Sequence, residues 1–65
     1  MLIELNGEHI TTQAATLAEL VSERTLPAEA VATALNGAFV PRGRRADTAL
    51  APGMKVEILT PMQGG

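Results

Sequence analysis

Apolar and polar residues alternate with period two in several short runs, and one stretch changes to the longer period of a helix. From Met1 to Asn6, Ile3 and Leu5 fall on one face and Glu4 and Asn6 on the other, the pattern of a half-buried strand. Asn6-Gly7 follows, a pair in which both residues tolerate positive φ. Glu8 to Thr12 then returns as a second strand, with Ile10 facing the core. The period changes after Thr16. Thr16-Leu17-Ala18-Glu19 has the form of a capping box, in which the hydroxyl serves the Glu19 amide and the Glu19 side chain reaches back. Leu17, Leu20 and Val21 recur at i, i+3, i+4, so a short amphipathic helix starts here. Pro27 lacks an amide and disfavours helix at Leu26, which predicts a stop near Thr25.

Alternation resumes at Val31, Thr33 and Leu35, with Ala32 and Ala34 giving that strand a face of small residues. Asn36-Gly37 repeats the hairpin signal, and Ala38 to Val40 forms a short partner strand closed by Pro41. Arg42 to Thr48 reads as a polar loop, Ala51-Pro52-Gly53 as a turn, and Lys55 to Leu59 as the last strand. No repeat, linker or low-complexity stretch interrupts this order.

A helix following a hairpin has to cover the sheet face that carries Ile3, Leu5 and Ile10. The last strand fits most economically beside the first, in parallel, with Val56 and Ile58 turned toward the helix. The expected fold is α+β: a ubiquitin-like β-grasp, a mixed sheet of four to five strands packed on one helix, with a flexible C-terminal Gly-Gly tail. Parity then turns Leu59 outward, just ahead of that tail.

Sixty-five residues make one domain near the lower size limit for an unstapled core. The 46% of hydrophobic residues and a mean hydropathy of +0.17 argue against disorder. Without cysteine there is neither a disulfide framework nor a thiolate metal site. No apolar run approaches the roughly 20 residues of a membrane span and no signal segment opens the chain, so a cytoplasmic location is the default. The formal charge of −2 and the single aromatic residue, Phe39, count against nucleic acid as a partner. Arg42, Arg44 and Arg45 form one basic cluster. It reads first as a solvated loop and alternatively as a docking point for an acidic patch on a partner.

Side chains that would carry catalysis are scarce. His9 and Ser22 are the only residues of their types, the carboxylates are scattered, and no glycine-rich phosphate loop exists. No catalytic residue, metal site or cofactor is expected. What remains is the end of the chain. From Thr60 to Gly65, at roughly 3.3–3.6 Å per residue, an extended tail reaches about 20 Å, and glycines let it enter a narrow channel. A frayed terminus has the same appearance. A main-chain carboxylate on Gly65 is ionised at neutral pH and, held in line, can attack an activated phosphate.

Ala32-Thr33-Ala34-Leu35-Asn36-Gly37, then Phe39-Val40-Pro41-Arg42, then Pro52-Gly53-Met54-Lys55-Val56-Glu57-Ile58 and the closing Pro61-Met62-Gln63-Gly64-Gly65 together resemble the sulfur carrier family of thiamine biosynthesis. The resemblance spans essentially the whole chain. A terminal Gly-Gly alone is shared by ubiquitin-like proteins broadly, whereas the combination is much more specific. It implies a carrier, not an enzyme, whose last glycine is adenylated by an E1-like adenylating enzyme and converted to a thiocarboxylate. A sulfur-donating enzyme supplies the sulfur, which thiazole synthase then receives. On that resemblance Gly65 bears the sulfur, Gly64 threads the channel, and Leu59, Pro61, Met62 and Gln63 belong to the partner interface. Met62 departs from the smaller aliphatic residue the family often carries there. Residues 1–59 would form the β-grasp domain and residues 60–65 the reactive tail. The alternatives are the small subunit of molybdopterin synthase or another sulfur carrier, and a ubiquitin-like protein modifier that ends in an isopeptide bond.

Overall fold

Every predicted strand forms, and the chain folds in the order β1 (Leu2–Leu5), β2 (Glu8–Thr11), α1 (Leu17–Glu23), β3 (Ala32–Leu35), β4 (Ala38–Val40), a 3₁₀ segment (Arg42–Asp47) and β5 (Lys55–Leu59). This computed structural model describes residues 1–60. The strands make one five-stranded sheet in the order β2-β1-β5-β3-β4. β5 runs parallel to β1 and antiparallel to β3, while the two hairpins are antiparallel. The last strand in sequence is thus the central one in space, which is the β-grasp arrangement expected.

Both Asn-Gly pairs adopt the hairpin conformation their chemistry favours. Asn6 and Gly7 have φ of 51° and 85°, and Asn36 and Gly37 have 50° and 86°, the double positive φ of a type I′ turn. Pro52 and Gly53 make a further turn, closed by Met54 N donating to Ala51 O at 3.2 Å.

Helix α1 is fixed at both ends by local chemistry. Thr16 Oγ1 accepts from Glu19 N at 3.2 Å, as the capping box requires. The Glu19 carboxylate reaches back one residue further than expected and accepts from Ala15 N at 2.8 Å. At the other end Thr25 N donates to Ser22 O and Leu26 N to Val21 O, the paired bonds of a Schellman stop. The helix therefore ends at Glu23, slightly ahead of the proline, and the left-handed position falls on Thr25 with φ 56°. A β-branched residue rarely takes that conformation.

The core lies between α1 and one face of the sheet. Ile3, Leu17, Leu20, Val21, Val56 and Ile58 are almost fully buried, joined by Leu5, Val31, Val40 and Leu50, with Ile10 packed at the margin. The start of α1 is also stitched to the segment after the 3₁₀ turn, since Leu17 N donates to Thr48 O and Leu50 N to Ala15 O, both at 2.9 Å.

One expectation fails here. Arg42 to Thr48 is not a uniformly solvated loop, and its three arginines do not form one surface cluster. Arg45 is only 4% exposed. Its Nε donates to Thr33 Oγ1 at 3.0 Å, Nη1 to Ala28 O at 2.8 Å and Nη2 to Val31 O at 2.7 Å. Thr33 in turn donates to Val40 O at 2.8 Å. A buried guanidinium is tolerated when its planar donors meet well-placed acceptors. Here it ties three segments together: the loop before β3, β3 itself and the 3₁₀ turn. Arg42 and Arg44 stay exposed.

Candidate functional site

β5 carries the predicted site, and its neighbours determine what it presents. Val56 and Ile58 turn inward while Lys55, Glu57 and Leu59 turn outward. Leu59 is 67% exposed on the outer face of the sheet, as the alternation predicts. Across from it on β3 lies Ala32, and two residues further along, Ala34 stands opposite both Glu57 of β5 and Phe39 of β4. Phe39 is 70% exposed. Directly opposed side chains in a sheet sit within contact range, so Leu59, Ala32, Ala34 and Phe39 form one apolar strip across three strands. The small alanines leave a shallow depression between Glu57 and Leu59.

Exposed large apolar side chains grouped on one face mark a contact surface more often than scattered ones do. Sequence reasoning found Leu59 and missed Phe39. The signal was present in part: Ala32 and Ala34 were legible as a small-residue face. Only the register of β3 between β4 and β5 connects that face to Leu59 on one side and Phe39 on the other.

The strip lies at the end of the sheet where the chain leaves β5. Because β3 is antiparallel to β5 and to β4, the start of β3, the end of β4 and the end of β5 meet there. Pro41 and the exposed Arg42 follow directly from β4. Of the other predicted site residues, Pro61, Met62, Gln63, Gly64 and Gly65 lie outside the described residues.

Among the described residues, side chains able to do covalent chemistry are not brought together. His9 stands on the outer face beside its cross-strand partner Glu4, with Nε2 3.8 Å from Glu4 Oε1. Ser22 is on α1, across the sheet from it. Among the described residues no group of three or more His, Asp or Glu is placed to hold a metal ion. Nor is any helix among them long and apolar enough to cross a membrane. A wider groove runs beside Thr12, Glu19 and Glu23, and the side chains of these three are paired within the fold. Thr12 donates to the Glu23 carboxylate and accepts from Ala14 N at 3.0 Å. The apolar strip and the strand end beside it are a surface that a partner can touch.

The ThiS family model matches residues 1–65. The chain belongs to the ThiS family. A crystal structure of the thiamine biosynthesis protein ThiS from Geobacter metallireducens superposes with a TM-score of 0.83 at 33% identity, with 100% of each chain covered. An NMR solution structure of a thiamine biosynthesis protein from the same organism gives a TM-score of 0.85 at 33% identity, covering 100% of this chain and 88% of that one. No curated protein matches the sequence. The ubiquitin-like β-grasp fold expected from the strand pattern is thus the fold of ThiS proteins as well.

Proposed function

We propose that this ThiS-family chain is a sulfur carrier of thiamine biosynthesis and that the carboxylate of Gly65 is its reactive group. An E1-like adenylating enzyme binds the domain, and the carboxylate attacks the α-phosphorus of ATP, releasing pyrophosphate and forming an acyl-adenylate. Sulfur from a sulfur-donating enzyme, at the oxidation level of hydrosulfide, displaces AMP and leaves a thiocarboxylate. Thiazole synthase takes up that sulfur. The chain acts as a co-substrate in the cytoplasm and catalyses none of these steps itself.

The observation that carries this reading is the place of Leu59. It is an exposed leucine at the end of the central strand, continuous with Ala32, Ala34 and Phe39, and it immediately precedes the residues that close in Gly64-Gly65. An enzyme that takes the tail must approach this end of the sheet, and an apolar strip there provides the contact. Residues 1–59 serve as the handle and residues 60–65 as the arm. Pro61, Met62 and Gln63 extend the contact surface, and Gly64 passes through a channel too narrow for a Cβ.

The test is the intact mass of the chain after incubation with ATP, the activating enzyme and a sulfur source. The expected product has gained the difference between one sulfur and one oxygen, and loses it on transfer to thiazole synthase. Deleting Gly65, or extending the chain past it, abolishes the gain while the fold is retained. An extended chain that accepts sulfur without being trimmed would refute the carboxylate as the reactive group.

A further inference from the structure

The parallel pairing of β1 with β5 ends early. Its last register pair is Leu5 with Val56, and Asn6 N donates to Val56 O at 2.9 Å. The main chain then turns away at Asn6, where φ is 51°. Alternate residues of a strand direct their peptide groups to opposite sides, so the amide and carbonyl of Ile58 face the side that β1 has just left. The Asn6 side chain fills the gap. Ile58 N donates to Asn6 Oδ1 at 2.9 Å, and Asn6 Nδ2 donates to Ile58 O at 3.1 Å. A carboxamide carries the same donor and acceptor as a peptide group, so it takes the place of the next peptide that β1 would have supplied.

We infer that Asn6 is a positioning residue for the C-terminal arm: its carboxamide holds Ile58 against the sheet and so sets the direction in which Leu59 and Thr60 leave it. This rests on the proposed function, because the direction matters only if the arm must enter an enzyme. Without the clamp, β5 would be held at its end by β3 alone, through Ala32 and Leu59, and could peel from the sheet on the β1 side. Docking through Leu59, Ala32, Ala34 and Phe39 would be preserved, while alignment of the carboxylate with ATP would be lost. Asn6 therefore acts on turnover and not on affinity.

The second hairpin supplies an internal control. Asn36 makes a related clamp at the opposite end of β5, with Asn36 N donating to Lys55 O at 2.7 Å and Lys55 N to Asn36 Oδ1 at 3.0 Å. Its turn has the same conformation, but it lies at the far end of the strand from the exit. Asn6→Gly and Asn36→Gly each keep a residue suited to the type I′ turn; the first deletes both side-chain bonds to Ile58, and the second deletes the side-chain bond to Lys55 N while its backbone bond to Lys55 O remains.

The experiment measures amide hydrogen exchange in the free chain and the kinetics of adenylation with the activating enzyme, at a temperature where all variants are folded. In Asn6→Gly the Ile58 amide is expected to exchange at least roughly tenfold faster while the Glu57 amide, which faces β3, stays protected. For the same variant kcat should fall about tenfold with KM within about twofold of wild type, since misplacing a reacting group costs rate more than binding. Asn36→Gly should leave both constants near wild type. Asn6→Asp, which keeps the turn and the acceptor but removes the donor to Ile58 O, should also lose kcat. Unchanged Ile58 exchange in Asn6→Gly, unchanged kcat, or an equal loss in Asn36→Gly would each overturn the assignment. A wild-type chain that is never adenylated would refute the proposed function instead, and the exchange of Ile58 would still decide whether Asn6 holds the strand end.

Discussion

Ile58 and Leu59 are chemically similar neighbours on β5, yet one lies in the core and the other is two-thirds exposed. The same contrast runs across the whole sheet. Its inner face presents Ile3, Leu5, Val56 and Ile58 to the helix. Its outer face carries Glu4, His9, Lys55 and Glu57 among Leu2, Leu59, Ala32, Ala34 and Phe39. The inner face is closed by one helix, whereas the outer face has no layer over it among the described residues. Apolar area left in water costs about 25 cal/mol per Å² relative to burial. An isolated exposed leucine needs no explanation, but a leucine and a phenylalanine joined by two alanines constitute a surface. The comparison teaches that parity alone separates the residues that make this fold from those that a partner can touch.

Arg45 offers the severest challenge to that division, because it is a charged group on the inner side. Arg45→Met should lower stability by about 4 kcal/mol, since the oxygens of Ala28, Val31 and Thr33 would lose their donors in a buried setting. That is a large share of what a domain of this size possesses. Arg42→Met and Arg44→Met should each change it by less than about 0.5 kcal/mol. Urea unfolding of the three variants makes the comparison, and similar midpoints would mean that Arg45 is not the hub of this network.

The adjacent pair on β5 tests the two faces most directly. Ile58→Ala should cost about 3 kcal/mol through lost burial and a residual cavity. Leu59→Glu should leave the melting temperature nearly unchanged, with a stability shift under about 0.5 kcal/mol. Its KM for the activating enzyme should nevertheless rise by at least roughly tenfold, because a carboxylate would be buried in an apolar contact. A large loss of thermal stability in Leu59→Glu would place that residue in the core and break the distinction.

Two smaller effects concern the helix that covers the inner face. Thr16→Ala should cost about 1 kcal/mol by removing the acceptor for the Glu19 amide. An unmoved melting curve would show that the cap contributes nothing. Thr25→Gly should act in the opposite sense and stabilise by about 0.5 kcal/mol, because glycine takes a left-handed backbone without the Cβ conflict. Destabilisation would mean that the Thr25 hydroxyl, which donates to Arg24 O at 2.6 Å, outweighs the backbone strain.

By itself the sequence determined the five strands, the one α-helix and the facing of each strand, but not the 3₁₀ segment at Arg42–Asp47. Alternation, two Asn-Gly pairs, a capping box and a proline are local signals, and each acts over a few residues. They sufficed to place Leu59 outward and to assemble a hairpin, a helix, a hairpin and a closing strand into a β-grasp. Tertiary structure alone decided the roles that depend on what lies opposite. Arg45 looks like its neighbours Arg42 and Arg44 in sequence, and only the carbonyls of Ala28 and Val31 folding over it turn it inward. Phe39 is a lone aromatic until the register of β3 joins it to Leu59. Asn6 reads as a turn former because its φ is a local property. Its second role needs Ile58, fifty-two positions away, and no pattern of neighbouring residues can encode a hydrogen bond that exists only once the last strand has been inserted beside the first.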